Sequence, residues 1–154
     1  IMAAVQALCN SFKAELLKAF HSFEASGGSA FKLALYTSSS SHNAQTANYT
    51  TGNEISNTSG SAYVAGGYAL TNIGVTGSNT TATSYVDFQD AVWSNASFTA
   101  NSALLYNTTA NGAANTTNAV CVLAFGADYT ASNGTFTVQF PAAGTSTAIL
   151  RISG

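Results

Sequence analysis

The sequence predicts a mostly β protein, an antiparallel β-sandwich with one N-terminal amphipathic α-helix, and three observations predict it. The seven-residue run Ala119-Val120-Cys121-Val122-Leu123-Ala124-Phe125 is wholly apolar. It is too short to cross a membrane and suits a strand buried on both faces. Short apolar or alternating segments recur along much of the remaining chain between Gly, Ser and Asn turns, which suggests roughly eight or nine short strands. Finally, Val5, Leu8, Cys9, Phe12, Leu16, Phe20 and Phe23 repeat at spacings of three and four, the period of a helix.

Taken in order, the helix is expected within residues 1–26. Lys13, Glu15, Lys18, Ser22 and Glu24 fall on its other faces, and Gly27-Gly28 supplies a C-terminal stop. Asn10 or Ser11 could cap a shorter helix that starts late. Its apolar stripe, with Phe12, Leu16 and Phe20 at the centre, must be covered by the protein's own sheet or by a partner, since each large side chain gains roughly 1.5–3 kcal/mol on burial. Phe31-Lys32-Leu33-Ala34-Leu35-Tyr36-Thr37 alternates and reads as the first strand of a single domain whose sandwich occupies residues 31–154. Residues 38–59 have no period and read as a long surface loop. The glycines of Gly60 to Gly67 predict a turn. Ile73 to Thr76, Tyr85 to Phe88, Ala91 to Trp93, Phe98 to Ala100 and Ala103 to Tyr106 read as separate short strands. Ser132-Asn133-Gly134 reads as a turn leading to Phe136-Thr137-Val138-Gln139-Phe140, and Ala148 to Ile152 as a closing edge or pairing strand.

Composition narrows the function. Only 6% of residues are charged, against about 25% in ordinary soluble domains, while Ser and Thr number 39 and Asn 14, so the surface is hydroxyl and amide rather than ionic. No cation occurs between Lys32 and Arg151, which leaves no basic patch for nucleic acid or an anionic membrane. So weakly charged a surface gives little colloidal repulsion and hints at a protein held in an assembly. Cys9 and Cys121 could pair or remain two buried thiols. Asn-x-Ser/Thr triplets stand at Asn48, Asn57, Asn79, Asn95, Asn107, Asn115 and Asn133, a modest excess over chance that says little about glycosylation.

Candidate chemistry is sparse. His21 and His42 are too few and too far apart to predict a metal site, and His21 reads as structural or solvent-facing. Asp87 and Asp90 could join a calcium loop, though a strand end and turn explains them as well. Asp128 reads as a turn residue. Gly-x-Ser-x-Gly is absent, and Cys121 lies in the most apolar run, where a thiol is inert. No enzyme and no cofactor are expected. Tyr36, Tyr49, Tyr63, Tyr68 and Trp93 could line a sugar-binding face, although many aromatics simply fill cores.

An ordered set of segments carries a resemblance. It comprises Asn10-Ser11-Phe12-Lys13-Ala14-Glu15-Leu16-Leu17, Phe31 to Thr37, Asn53-Glu54-Ile55-Ser56, Gly60 to Gly67, Ala91-Val92-Trp93-Ser94, Ala103-Leu104-Leu105-Tyr106, Leu123-Ala124-Phe125-Gly126 and Phe136-Thr137-Val138. Together these resemble a family of small virion structural proteins of tailed bacteriophages. In such proteins Asn-Glu-x-Ser leads directly to Gly-x-Gly-Tyr, whereas here Asn57-Thr58-Ser59 intervenes and lengthens the loop. The resemblance implies a structural role in the virion and no catalysis. With the low charge, it sets the expectation of a capsid decoration or cement protein bound in many copies to the assembled shell. Its partners would be the major capsid protein or other virion proteins, and copies of itself in a homo-oligomer. The alternative is a tail- or fibre-associated virion protein with a host-glycan-binding face. Candidate partner-binding residues are Phe12, Leu16 and Phe20 on the helix, and Tyr49, Tyr63 and Tyr68 for the glycan face.

Overall fold

The computed structural model describes residues 3–109 and 115–154, which form two antiparallel sheets and one short helix. Residues 1–2 of the expected helix, and 110–114 of the loop before Ala119, lie outside the described residues. The elements in order are β1 (Ala7–Leu8), α1 (Asn10–Leu17), β2 (Phe31–Tyr36), β3 (Tyr68–Ala69), β4 (Asn72–Thr76), β5 (Thr83–Phe88), β6 (Ala91–Asn107), β7 (Ala119–Val138) and β8 (Leu150–Ser153). One sheet has the order β1-β7-β6-β2-β3 and the other β4-β5-β8, so the sandwich-like architecture expected from the sequence is present. Ala119 to Val122 are all buried, as expected of a core strand. The most central position belongs to β6, which pairs with both β7 and β2. As the closing strand, β8 pairs with β5 at the edge of the smaller sheet.

The helix is shorter than the 1–26 span expected, because both ends are taken by other hydrogen bonds. At its start, Ala7 and Leu8 pair with Val122 and Cys121, and the Cys9 N–H donates to the Val120 carbonyl at 3.0 Å, which makes this segment a strand. Cys9 therefore stands at the N-cap, and neither Asn10 nor Ser11 caps the helix. At its end, Ala19 adopts φ +58. The Phe20 N–H donates to the Glu15 carbonyl at 3.0 Å and the Ala19 N–H to the Leu16 carbonyl at 3.1 Å, the paired bonds of a Schellman stop.

The middle of the chain also departs from expectation. The separate strands read at Ala91, Phe98 and Ala103 form one seventeen-residue strand, and Ser132-Asn133-Gly134 does not reverse the chain. Asn133 (φ +49) sits in a bulge, because asparagine tolerates the left-handed region that an extra residue requires. Its N–H donates to Ser97 Oγ at 3.0 Å across the strand pair, and β7 runs on to Val138.

Aromatic rings fill the core between the sheets. Phe23 stacks on Phe31 at 4.7 Å, Phe88 meets both edge-on, and Trp93 contacts Phe98, Phe136 and Tyr63. Gly67 (φ +88) brings the chain against β2, where a Cβ would stand 2.1 Å from the Leu33 carbonyl oxygen.

Candidate functional site

Two places concentrate the residues that the sequence singles out. The first is a phenol cluster around Glu54, the one acid of the long loop. Residues 53–55 run beside β2: Thr37 N–H donates to Asn53 O at 2.9 Å and Ile55 N–H to Leu35 O at 2.9 Å. That register turns Glu54 towards the Gly66 turn. Its Oε1 accepts from the Tyr63 hydroxyl and the Gly66 N–H, both at 2.7 Å, and its Oε2 accepts from the Tyr49 hydroxyl at 2.7 Å. The Tyr106 hydroxyl donates to the Gly66 carbonyl at 2.7 Å, Tyr106 stacks on Tyr49 at 4.6 Å, and the Tyr36 hydroxyl donates to Thr50 O at 2.7 Å.

The electrostatics follow from this packing. Burial, and then the Glu54 carboxylate, push the Tyr106 phenol up to about 12. Burial drives Tyr36, Tyr49 and Tyr63 up as well, with Glu54 adding to each. These phenols stay protonated and donate to a carboxylate or carbonyl, an arrangement that fastens the 38–59 loop to β2 and β6.

This geometry removes Tyr63 from the expected glycan face. Tyr63 is 1% exposed and its hydroxyl also accepts the Leu35 N–H at 3.0 Å, so its ring is closed to any ligand. Tyr49 is half-buried against Tyr106, and Tyr68 is half-buried against the core ring Trp93 at 5.2 Å. Tyr63 is thus withdrawn from the surface, whereas Tyr49 and Tyr68 each keep part of theirs. The sequence signal for this cluster was a single acid in a polar loop with tyrosines on either side.

The second place is a groove of about 750 Å3 between α1, the segment after it, and the smaller sheet. Phe12 forms part of its floor and is itself buried, which corrects its assignment as a partner contact. Leu16 is half-buried on the groove wall, whereas Phe20 is half-buried and not part of the lining. Leu8, Val75 and Ile152 also line the groove and are exposed. Leu17, the next helical residue after Leu16, is 91% exposed.

The remaining candidates all have contacts within the fold. His21 is buried; its Nε2 meets Glu15 Oε2 at 2.7 Å and its Nδ1 faces the Asn107 amide nitrogen at 3.0 Å. Because Asn107 Oδ1 accepts the Thr109 N–H at 2.8 Å, its amide nitrogen must donate to Nδ1, which leaves the proton on Nε2. His42 contacts Ser40 Oγ and packs edge-on against Tyr36. Asp87 accepts the neighbouring Phe88 N–H, Asp90 accepts the Phe140 N–H and Asp128 accepts from Asn101, three separate tasks. Among the described residues no three His, Cys, Asp or Glu side chains gather as metal ligands. Both cysteines are buried and free; burial raises Cys9 to about 11 and Cys121 to about 12.

No protein-family model, curated protein or solved structure matches this chain.

Proposed function

We propose that this protein is a structural component of a bacteriophage virion, a decoration or cement protein held in many copies on the assembled shell. One observation carries the reading. A domain with charge on only 6% of its residues leaves an apolar groove of about 750 Å3 uncovered, with exposed Leu8, Val75 and Ile152 along it, and exposes Leu17 on the helix that borders it. Uncovered apolar surface of this kind marks an association site. A hydroxyl-rich, weakly charged exterior suits a subunit that spends its life bound rather than free. The ordered resemblance from Asn10 to Val138 supplies the class of assembly. Phe12 and Leu16 contribute by shaping the groove from within, and the shell protein or a neighbouring copy covers its rim.

Mass spectrometry of purified particles with copy-number determination tests this. Abundance comparable to the major shell protein is expected. A few copies per particle would place the protein in a tail or fibre instead, and absence from particles would end the proposal.

A further inference from the structure

A second cavity, separate from the groove and the phenol cluster, lies along β7. Phe125, Tyr129 and Thr130 line one part of it and Thr135, Thr137 and Gln139 another, around a volume of about 420 Å3. In a straight strand Phe125 and Gln139 would stand roughly 45 Å apart. They share one cavity because β7 bends, with Gly126 (φ +79) and Asn133 (φ +49) at irregular points of its pairing with β6. The outer edge of β7 is covered at its start, where β1 pairs at Cys121 and Val122; among the described residues no strand adjoins it further on.

The chemistry of the lining is specific. Tyr129 is 54% exposed and is held edge-on against Phe125 at 6.2 Å, so an aromatic ring is offered to solvent in a fixed attitude. Thr135, Thr137 and Gln139 are exposed beside it. No charged side chain lines the cavity; Asp128, the nearest in sequence, accepts a hydrogen bond from Asn101 at 2.8 Å. A phosphate, a sulfate or a cationic ligand would find no opposite charge there. An extended peptide would need the evenly repeating N–H and C=O groups that the bulges interrupt. A ring that is apolar on one face and ringed by uncharged hydroxyls fits all three features: the exposed aromatic face, the hydroxyl and amide groups, and the lack of charge.

We propose that the bend of β7 binds a neutral saccharide, with Tyr129 as the stacking platform and Thr135 and Gln139 as partners for the sugar hydroxyls. Saturation-transfer NMR on the whole chain, using maltose, cellobiose, lactose and N,N′-diacetylchitobiose as probes, tests it. Transfer to at least one of these sugars is expected, with affinity falling about tenfold in Tyr129→Ala and kept in Tyr129→Phe, which preserves the ring. Gln139→Ala, an exposed position, should weaken binding without altering the fold, which thermal unfolding verifies. No transfer to any of the four sugars, or transfer unchanged in Tyr129→Ala, overturns the proposal. Neither result bears on the copy number in particles, so this site and the virion reading stand or fall separately.

Discussion

Glu54 shows how one residue can decide whether a long loop belongs to a fold. Its carboxylate is the shared acceptor for two phenols and the Gly66 N–H, and without it those donors lose that acceptor. Glu54→Ala should therefore destabilise the protein by about 2–3 kcal/mol, the cost of stranding partly buried donors. For a chain of this length that lowers the thermal midpoint by roughly 5–10 °C. Tyr63→Phe removes one donor and leaves the Leu35 N–H without its acceptor, for about 1–2 kcal/mol. Urea titrations of both variants check the pair, and a Glu54→Ala protein within about 0.5 kcal/mol of the parent would refute the fastening role. His42 adds a pH dependence of known sign. Burial holds its imidazole below the ordinary 6.5, so the unfolded chain takes up this proton at higher pH than the folded one. The contribution of the neutral ring is complete above about pH 6.5 and is lost as pH falls towards the folded pKa. Thermal midpoints measured from pH 7.5 to 5 should decline, and the decline should be shallower in His42→Gln; parallel curves would exclude His42 as a source.

At the scale of elements, what the sequence made legible was periodicity, and what it hid was where periodicity stops. The three-and-four spacing from Cys9 to Leu16 predicted a helix, but the same spacing continues to Phe23 and nothing marked Ala19 as its end. Glycine is the usual residue for a left-handed stop, and here an alanine accepts φ +58 because two backbone bonds hold it there. Ala19→Gly should consequently stabilise the protein by roughly 0.5–1 kcal/mol, the strain relieved less the extra freedom glycine gives the unfolded chain. A urea midpoint that is unchanged or lower would show that the Schellman stop carries no strain. The strands teach the same lesson. Ser132-Asn133-Gly134 has the composition of a turn, and composition cannot separate a reversal from a bulge when the deciding group is Ser97, thirty-six positions away in sequence. The candidate sites were legible in proportion to how local they are. Tyr49 and Tyr63 flank Glu54 closely enough to suggest a cluster, yet their burial depends on Leu35 and Tyr106, which only the paired sheet brings near.

For the molecule as a whole, the open question of association rests on which apolar surface its own fold leaves uncovered. Cys9, Phe12 and Phe23 are consumed by the core, so most of the amphipathic stripe serves folding. The most exposed of the large apolar side chains left over are Leu17, 91% exposed, and Ile152, 66% exposed on the edge strand β8. Neither contributes much buried area to the isolated chain, and exchanging either for a polar residue should shift stability by no more than about 0.5 kcal/mol. If these two side chains are where the protein meets the shell or its neighbours, the combined variant Leu17→Ser, Ile152→Ser should remain folded, with an unfolding transition like the parent's, while losing association. Each exposed leucine or isoleucine covered on assembly is worth roughly 1.5–3 kcal/mol, so losing two weakens attachment by at least about a hundredfold. Sedimentation of particles incubated with each protein measures this directly. Retention of the double variant at the parent's level, with both proteins equally stable, would mean that the groove beside α1 faces water in the assembled particle and that attachment lies elsewhere on the sandwich.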